Sequence, residues 1–485
     1  MESPVTSEFS DRTALVDAGG NSYSYEELNK QVSAFTELLR NRGVSADSRI
    51  AVLQHKTSEC VISILTSRTI GATYIPIDPG SPPSRIRAII EDCDPDVLIC
   101  DPDLFPSEIP CQLEICKSIP GLENTAVTFL ASDHPKNEET AYILYTSGST
   151  GAPKGVCVSR SAANAFIQWG ISTFDVKAGD QVSSIAPFHF DLSVFDLFVT
   201  LSQGATLHLF RAEEIQNVRV MAEQLAARKI NVVYSTPTFF SALLLYGKAE
   251  KYDWSSLKTI LFAGEVFPVK TLHQLMSLWN HARFYNLYGP TETNVCLFSG
   301  IIKNESRTIP YPIGLPCDRH EIEITEQGEL LVGGPHVADG YLNQPELTAT
   351  RFFSRGNTRW FRTGDRVERD PDGRLIYKGR LDRMVKRRGY RIEPGEIEAA
   401  LALHPVVIAT AVVPVNLSDG TVNLVAAIST MNGKTIDLIE VKSFLMQSIP
   451  DYMLPDAIKV VDSFPKTSSG KVDYVELQKE IVSSF

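Results

Sequence analysis

Between Tyr145 and Gly155 the chain reads Tyr145-Thr146-Ser147-Gly148-Ser149-Thr150-Gly151-Ala152-Pro153-Lys154-Gly155, directly after the apolar stretch Ala141-Tyr142-Ile143-Leu144. Glycines let a backbone come close to a polyphosphate, the Ser and Thr hydroxyls offer donors, and Lys154 adds a compact positive charge. A loop of this composition after a strand cradles phosphate. It is not the Walker A pattern, because no Gly-Lys-Ser/Thr closes it at the required spacing. The apolar run before it and Pro-Lys-Gly after it argue against a mere flexible linker.

Other residue types bear on the same chemistry. Glu292 is a hard oxygen ligand of the kind that holds Mg²⁺. Asp365 sits in a tight Thr363-Gly364-Asp365 turn, where an acid caps the turn or accepts hydroxyl groups. Lys471 follows Ser468-Ser469-Gly470, a setting in which a solvated surface lysine is the default. The cysteines are scattered with no C-x-x-C pair and the histidines show no ligand-spaced pair, so neither a disulfide framework nor a transition-metal site is expected.

These groups need a scaffold. Strand-like runs at Arg49-Ile50-Ala51-Val52-Leu53 and Val97-Leu98-Ile99-Cys100 alternate with helical spacing over 25–40 and 218–228, which predicts parallel sheets covered by helices. From Thr308 onward short strands alternate with turns such as Glu326-Gln327-Gly328 and Pro371-Asp372-Gly373. At Gly379-Arg380-Leu381-Asp382 the chain turns polar and cationic. We divide it there into a core over 1–379, a hinge at 380–382 and a C-terminal domain over 383–485, a size able to fold alone.

A length of 485 residues calls for at least two domains. A formal net charge of -12 speaks against nucleic acid as a partner. No apolar run approaches the roughly 20 residues of a membrane span, and the first residues form no secretion signal. A cytoplasmic monomer that engages no membrane is the expectation.

In their order along the chain, the motifs resemble those of the adenylate-forming superfamily: acyl-CoA synthetases, nonribosomal peptide synthetase adenylation domains and luciferases. Beside the phosphate loop stand Ser24-Tyr25-Glu26-Glu27-Leu28, Gly71 to Asp78, Phe190-Asp191-Leu192-Ser193, Asn286 to Thr293, Arg362-Thr363-Gly364-Asp365, Gly379 to Asp382, Gly389 to Glu393 and Ser469-Gly470-Lys471. The match spans nearly the whole chain. It implies an α/β fold: a large N-terminal domain of layered β-sheets with helices and a β-barrel-like subdomain, then a small mobile α+β C-terminal domain.

The resemblance also implies roles. ATP would lie on Thr146, Ser147, Gly148, Ser149, Thr150, Gly151 and Lys154, with Gly264 and Glu265 bordering the base. Asn286, Gly289 and Thr291 would also bind the nucleotide, and Tyr288 would stack on the adenine. Asp365 would hold the ribose, Arg380 would touch the nucleotide and Glu292 would hold Mg²⁺. Lys471 would be the catalytic cation between substrate carboxylate and α-phosphate, with Thr146 beside it. Asp382 would be the pivot that swaps Lys471 for Gly389-Tyr390-Arg391 before thioester formation.

Positions matching the family's substrate pocket are Asp191, Leu192, Phe195, Tyr234, Leu261, Ala263, Leu287, Val295 and Cys296, with Phe190 and Lys471 adjoining. An acid at Asp191 would be an uncompensated charge unless the substrate brings an ammonium. The rest is apolar and bulky, so a small side chain or ring fits. The set is similar to freestanding L-proline-activating adenylation enzymes, departing from them at Phe195. D-alanine–carrier protein ligases are similar too, but typically carry a thiol-bearing residue at Ala263. An acyl-CoA synthetase and a nonenzymatic nucleotide-binding module are further alternatives. No Gly-Gly-x-Ser motif follows Lys471, so the phosphopantetheine carrier protein is expected in trans, with Lys386-Arg387-Arg388 either a docking patch or a solvated face.

Overall fold

The computed structural model describes residues 7–105, 114–116, 119, 121–135, 137–148, 152–301, 307, 309–417, 421–431, 434–466 and 472–483. Ser149, Thr150, Gly151 and Lys471 lie outside the described residues.

Contacts divide the chain into two compact units. The first comprises Met1–Pro79, Ile90–Tyr145 and Gly155–Leu381; the second comprises Gly80–Ile89, Thr146–Lys154 and Asp382–Phe485.

Local sequence explains how the elements of the first unit begin. Helix Tyr25–Asn41 is opened by Ser24, whose hydroxyl accepts from the Glu27 amide at 3.1 Å while the Glu27 carboxylate accepts from the Ser24 amide at 2.7 Å. Such a capping box stabilises a helix start by about 1 kcal/mol. Its Tyr25, Leu28, Val32, Phe35 and Leu39 recur at helical spacing and are buried.

The sheet strands read as continuous apolar runs because both faces are covered. One sheet carries, in spatial order, Leu315–Pro316, Leu297–Gly300, Arg283–Tyr288, Thr259–Ala263, Val232–Ser235, Gln181–Ser184, Thr206–Leu209, Thr13–Val16 and Ser22–Ser24. A second carries Gly340–Tyr341, Lys154–Ser159, Thr140–Thr146, Thr73–Pro76, Arg49–Leu53, Val97–Cys100, Ala126–Phe129 and Glu114–Ile115. Most central pairings of both are parallel, as the strand–helix alternation predicts. Five antiparallel strands between Glu321 and Arg380 form a third sheet.

In the first sheet, alternation sends Val232, Tyr234, Leu261, Ala263 and Leu287 to a core shared with Phe195 and Val295. Val233, Ile260, Phe262 and Phe284 face a different core with Trp279 and Phe240. A period of two residues therefore decides which side chains can reach the substrate pocket.

The second unit packs antiparallel Val407–Asn416 and Val422–Thr430 with parallel Ala457–Val460, and places Val385–Arg387 against Tyr390–Ile392. Ile397, Leu401, Val412, Ala426, Ile428 and Val441 make its core. This is the α/β chain with a smaller α+β C-terminal part expected from the motifs.

Candidate active site

In the first unit the strand Arg283–Tyr288 delivers Tyr288 to a buried acid. The Tyr288 hydroxyl donates to Asp365 Oδ2, and Arg380 Nη1 lies 2.6 Å from Asp365 Oδ1. Arg380 also donates to the Thr363 carbonyl at 2.7 Å, and the Thr363 hydroxyl accepts from the Asp365 amide at 3.0 Å. Burial, then the charge of Asp365, drives the Tyr288 hydroxyl well above its ordinary value, so it remains a donor. Three residues named from separate motifs thus form one network.

Gly289 follows Tyr288 because a Cβ there would meet the Asn294 carbonyl oxygen at 1.4 Å. That turn carries Thr291 and Glu292, and Glu292 is wholly enclosed. Tyr341 donates to Glu292 Oε1 at 2.6 Å. A buried carboxylate braced by a neutral donor suits a hard divalent cation. Asn286 is turned to the Pro312 carbonyl, 2.9 Å away. Glu265 accepts from the Thr238 amide at 3.1 Å and its hydroxyl at 2.6 Å, which fixes the Gly264-Glu265 turn, with Gly264 at φ 92°.

The pocket residues converge in part. Phe195, Tyr234, Leu261, Ala263, Leu287 and Val295 share one core, with Leu192 packed against it. Phe195 and Tyr234 meet edge to face at 5.6 Å. Burial pushes the Tyr142 and Tyr234 hydroxyls up, and the charge of Asp191 adds to the rise at both. Asp191 itself precedes the short helix Leu192–Val194, and Phe190 holds the Ser193 hydroxyl on its carbonyl at 2.6 Å. Cys296 does not join this group: it packs with Tyr288 and Leu297, its thiol 3.6 Å from the Tyr288 carbonyl.

Several residues of this region escape sequence reasoning. Tyr142 and Tyr341 are two. Lys56 and Asp196 are two more, Asp196 buried and Lys56 half-buried; Lys56 donates to the Ser184 and Ala186 carbonyls, each at 2.6 Å. Burial drives the Asp196 carboxyl up and the Lys56 ammonium down, each opposed by the other's charge. Asp196 lies in the π-helical turn Phe195–Val199, a geometry often found at functional sites and invisible in composition.

In the second unit Thr146 Oγ1 is buried and makes no hydrogen bond among the described residues. Gly148 is required by space, since a Cβ would meet the Ala152 carbonyl oxygen at 1.9 Å. Ser147 Oγ donates to the Arg391 carbonyl at 2.7 Å, and the Gly148 amide to Glu396 Oε2 at 3.2 Å. Glu396 also pairs with buried Arg85. Lys154 is buried. Asp382 Oδ1 accepts from the Met384 amide at 3.3 Å. Arg387 turns inward, pairing with Asp456 and donating to the Tyr452 and Leu454 carbonyls at 3.2 and 3.1 Å, so it is no part of a docking patch.

Comparison with known proteins gives these features a context. The family model for AMP-binding enzymes matches residues 5–342, and that for the AMP-binding enzyme C-terminal domain matches 396–471. An L-proline–L-prolyl-carrier-protein ligase of Pseudomonas fluorescens is 33% identical, the alignment covering 97% of this chain and 96% of the relative. One of Streptomyces coelicolor with the same name is 35% identical, over 95% of this chain and 92% of its own. Among solved structures, an amide bond synthetase from Marinactinospora thermotolerans matches with a TM-score of 0.85 at 24% identity, covering 98% of each chain, a likeness of fold. No helix among the described residues is long and apolar enough to cross a membrane.

Proposed function

Since the chain belongs to the AMP-binding enzyme family, we propose that it activates L-proline with ATP and passes the prolyl group to the phosphopantetheine thiol of a separate carrier protein. In the first half-reaction a carboxylate oxygen of proline attacks the α-phosphorus, the bond to the β-phosphate oxygen breaks, and pyrophosphate leaves. In the second a thiolate attacks the acyl carbon, the acyl–phosphate bond breaks, and AMP leaves.

The motif residues take the roles that the resemblance suggests. Asp365, with Arg380 and Tyr288, receives the ribose and the base. The phosphate loop from Thr146 to Lys154 receives the triphosphate, and Lys471 offsets the charge that develops when two anions approach. Glu292 holds Mg²⁺, which supplies charge neutralisation at the phosphates. Asp382 is the pivot between half-reactions, a recognised way of exchanging catalytic groups.

One observation carries the choice of substrate. Asp191 acts electrostatically on Tyr142 and Tyr234 at the edge of a wholly apolar group formed by Phe195, Leu261, Ala263, Leu287 and Val295. An acid beside an apolar wall fits a substrate with an ammonium and a small hydrocarbon ring. The names of the two curated relatives add support for proline. Amino-acid-dependent ATP–pyrophosphate exchange tests the reading across the common amino acids, D-alanine and pipecolate. Proline should give the fastest exchange; a faster rate with D-alanine would move the assignment to that substrate.

A further inference from the structure

Glu292 is gripped twice by one short segment. The Ala338 amide donates to the Glu292 carbonyl at 2.8 Å, and three residues on the Tyr341 hydroxyl donates to its Oε1 at 2.6 Å. Tyr341 is in turn fixed by two neighbouring residues, Thr348 and Phe352. Its amide donates to Thr348 Oγ1 at 2.9 Å, and its ring meets Phe352 edge to face at 5.3 Å. The preceding residue must be glycine: Gly340 has φ +151°, and a Cβ there would meet Thr348 Cγ2 at 2.5 Å.

The other side of this strand is tied to the chain leaving the phosphate loop. Gly340 pairs with Cys157 and Tyr341 with Val156 in antiparallel register. The Leu342 amide donates to the Gly155 carbonyl at 2.8 Å and the Asp339 amide to the Cys157 carbonyl at 2.9 Å. Gly340–Tyr341 is therefore a tie between the exit of the phosphate loop and the acid on the other sheet.

We propose that Tyr341 is the positioning residue that sets the Glu292 carboxylate for a divalent cation, a role that rests on the reading of Glu292 as the cation ligand. A phenol donates one hydrogen bond and brings no charge, so it fixes the plane of the carboxylate without competing for it as a cation would. A partner that orients a ligating group governs metal affinity about as strongly as 10-fold to 100-fold. The tie to Val156 and Cys157 fixes the strand that carries Tyr341, and with it the hydroxyl that meets the carboxylate. Tyr341 touches neither substrate nor nucleotide in this account.

The test measures Mn²⁺ binding by electron paramagnetic resonance in the presence of a nonhydrolysable ATP analogue, for the full chain and for Tyr341→Phe. The variant should need about 10-fold more Mn²⁺ for half-saturation, while a prolyl-adenylate analogue that carries no triphosphate binds as in the unaltered chain. Unchanged Mn²⁺ binding in Tyr341→Phe, with Glu292→Gln weakened, would overturn the role of Tyr341 alone. Unchanged binding in Glu292→Gln would overturn the assignment of the cation to Glu292, and the proposal with it. Equal weakening of Mn²⁺ and adenylate-analogue binding would mark a general packing defect and contradict the proposal. Should Tyr341→Phe fail to fold, Thr348→Val, which frees the Tyr341 amide, carries the test. A smaller shift in the same direction is expected, and no shift overturns the inference.

Discussion

The Arg380 guanidinium lies 2.6 Å from the Asp365 carboxylate, and both side chains are enclosed, 8% and 0% exposed. Removing one partner of a buried pair leaves an uncompensated charge, at a cost of about 3 kcal/mol or more. Arg380→Ala and Asp365→Asn, each of which leaves the other charge enclosed without its counter-ion, should therefore both lower the urea midpoint and raise the KM for ATP. Equal stability of Arg380→Ala and the unaltered chain would show that the pair matters only to the nucleotide.

Phe195 meets Tyr234 at 5.6 Å and Phe174 at 5.7 Å, both edge to face. Its ring closes space that an aliphatic residue would open. One methylene of substrate is worth ~1 to ~3 kcal/mol in such a pocket. Phe195→Leu should raise the pipecolate-to-proline ratio of kcat/KM about 10-fold in pyrophosphate exchange. An unchanged ratio would place Phe195 outside the substrate wall.

His336 and His320 meet edge to face with ring centroids 4.2 Å apart, and His336 Nδ1 lies 2.7 Å from the carbonyl of Val295. Burial lowers His336 to about 4 and His320 to about 3, from 6.5. Both folded values are depressed, so between 6.5 and about 4 the unfolded chain takes up protons that the native state refuses. The contribution is whole above pH 6.5 and is lost as pH falls toward 4. Each such histidine gives a slope of about 1.4 kcal/mol per pH unit. Urea midpoints measured from pH 7 down to pH 5 should fall, and His336→Asn should flatten the fall. The same slope in the variant would contradict a neutral buried His336.

Much of this site is legible in sequence because its parts are local. The phosphate loop, the Ser24–Glu27 capping box and the Thr363-Gly364-Asp365 turn each lie within a few residues, so composition and spacing disclose them. Tyr341 and Glu292 are distant in sequence, as are Lys56 and Asp196, and only the sheet register unites them. Two side-chain directions emerge only with the fold. Val385–Arg387 shows the burial alternation of a strand, which turns Arg387 inward with Val385, and Cys296 departs from the side its neighbour Val295 takes.

Lys471 lies outside the described residues, and its role rests on the motif Ser469-Gly470-Lys471. Lys471→Ala should lower pyrophosphate exchange about 100-fold or more with an unchanged unfolding midpoint. Retained exchange would remove the lysine from the first half-reaction.

The central claim is that Asp191 meets a positively charged substrate nitrogen. Pyrophosphate exchange with proline against cyclopentanecarboxylic acid, the same ring without the nitrogen, tests it most directly. Exchange should be confined to proline in the unaltered chain, and Asp191→Asn should lose that preference. If the carbocyclic acid drives exchange as well as proline does, Asp191 has no ammonium to meet and the account fails.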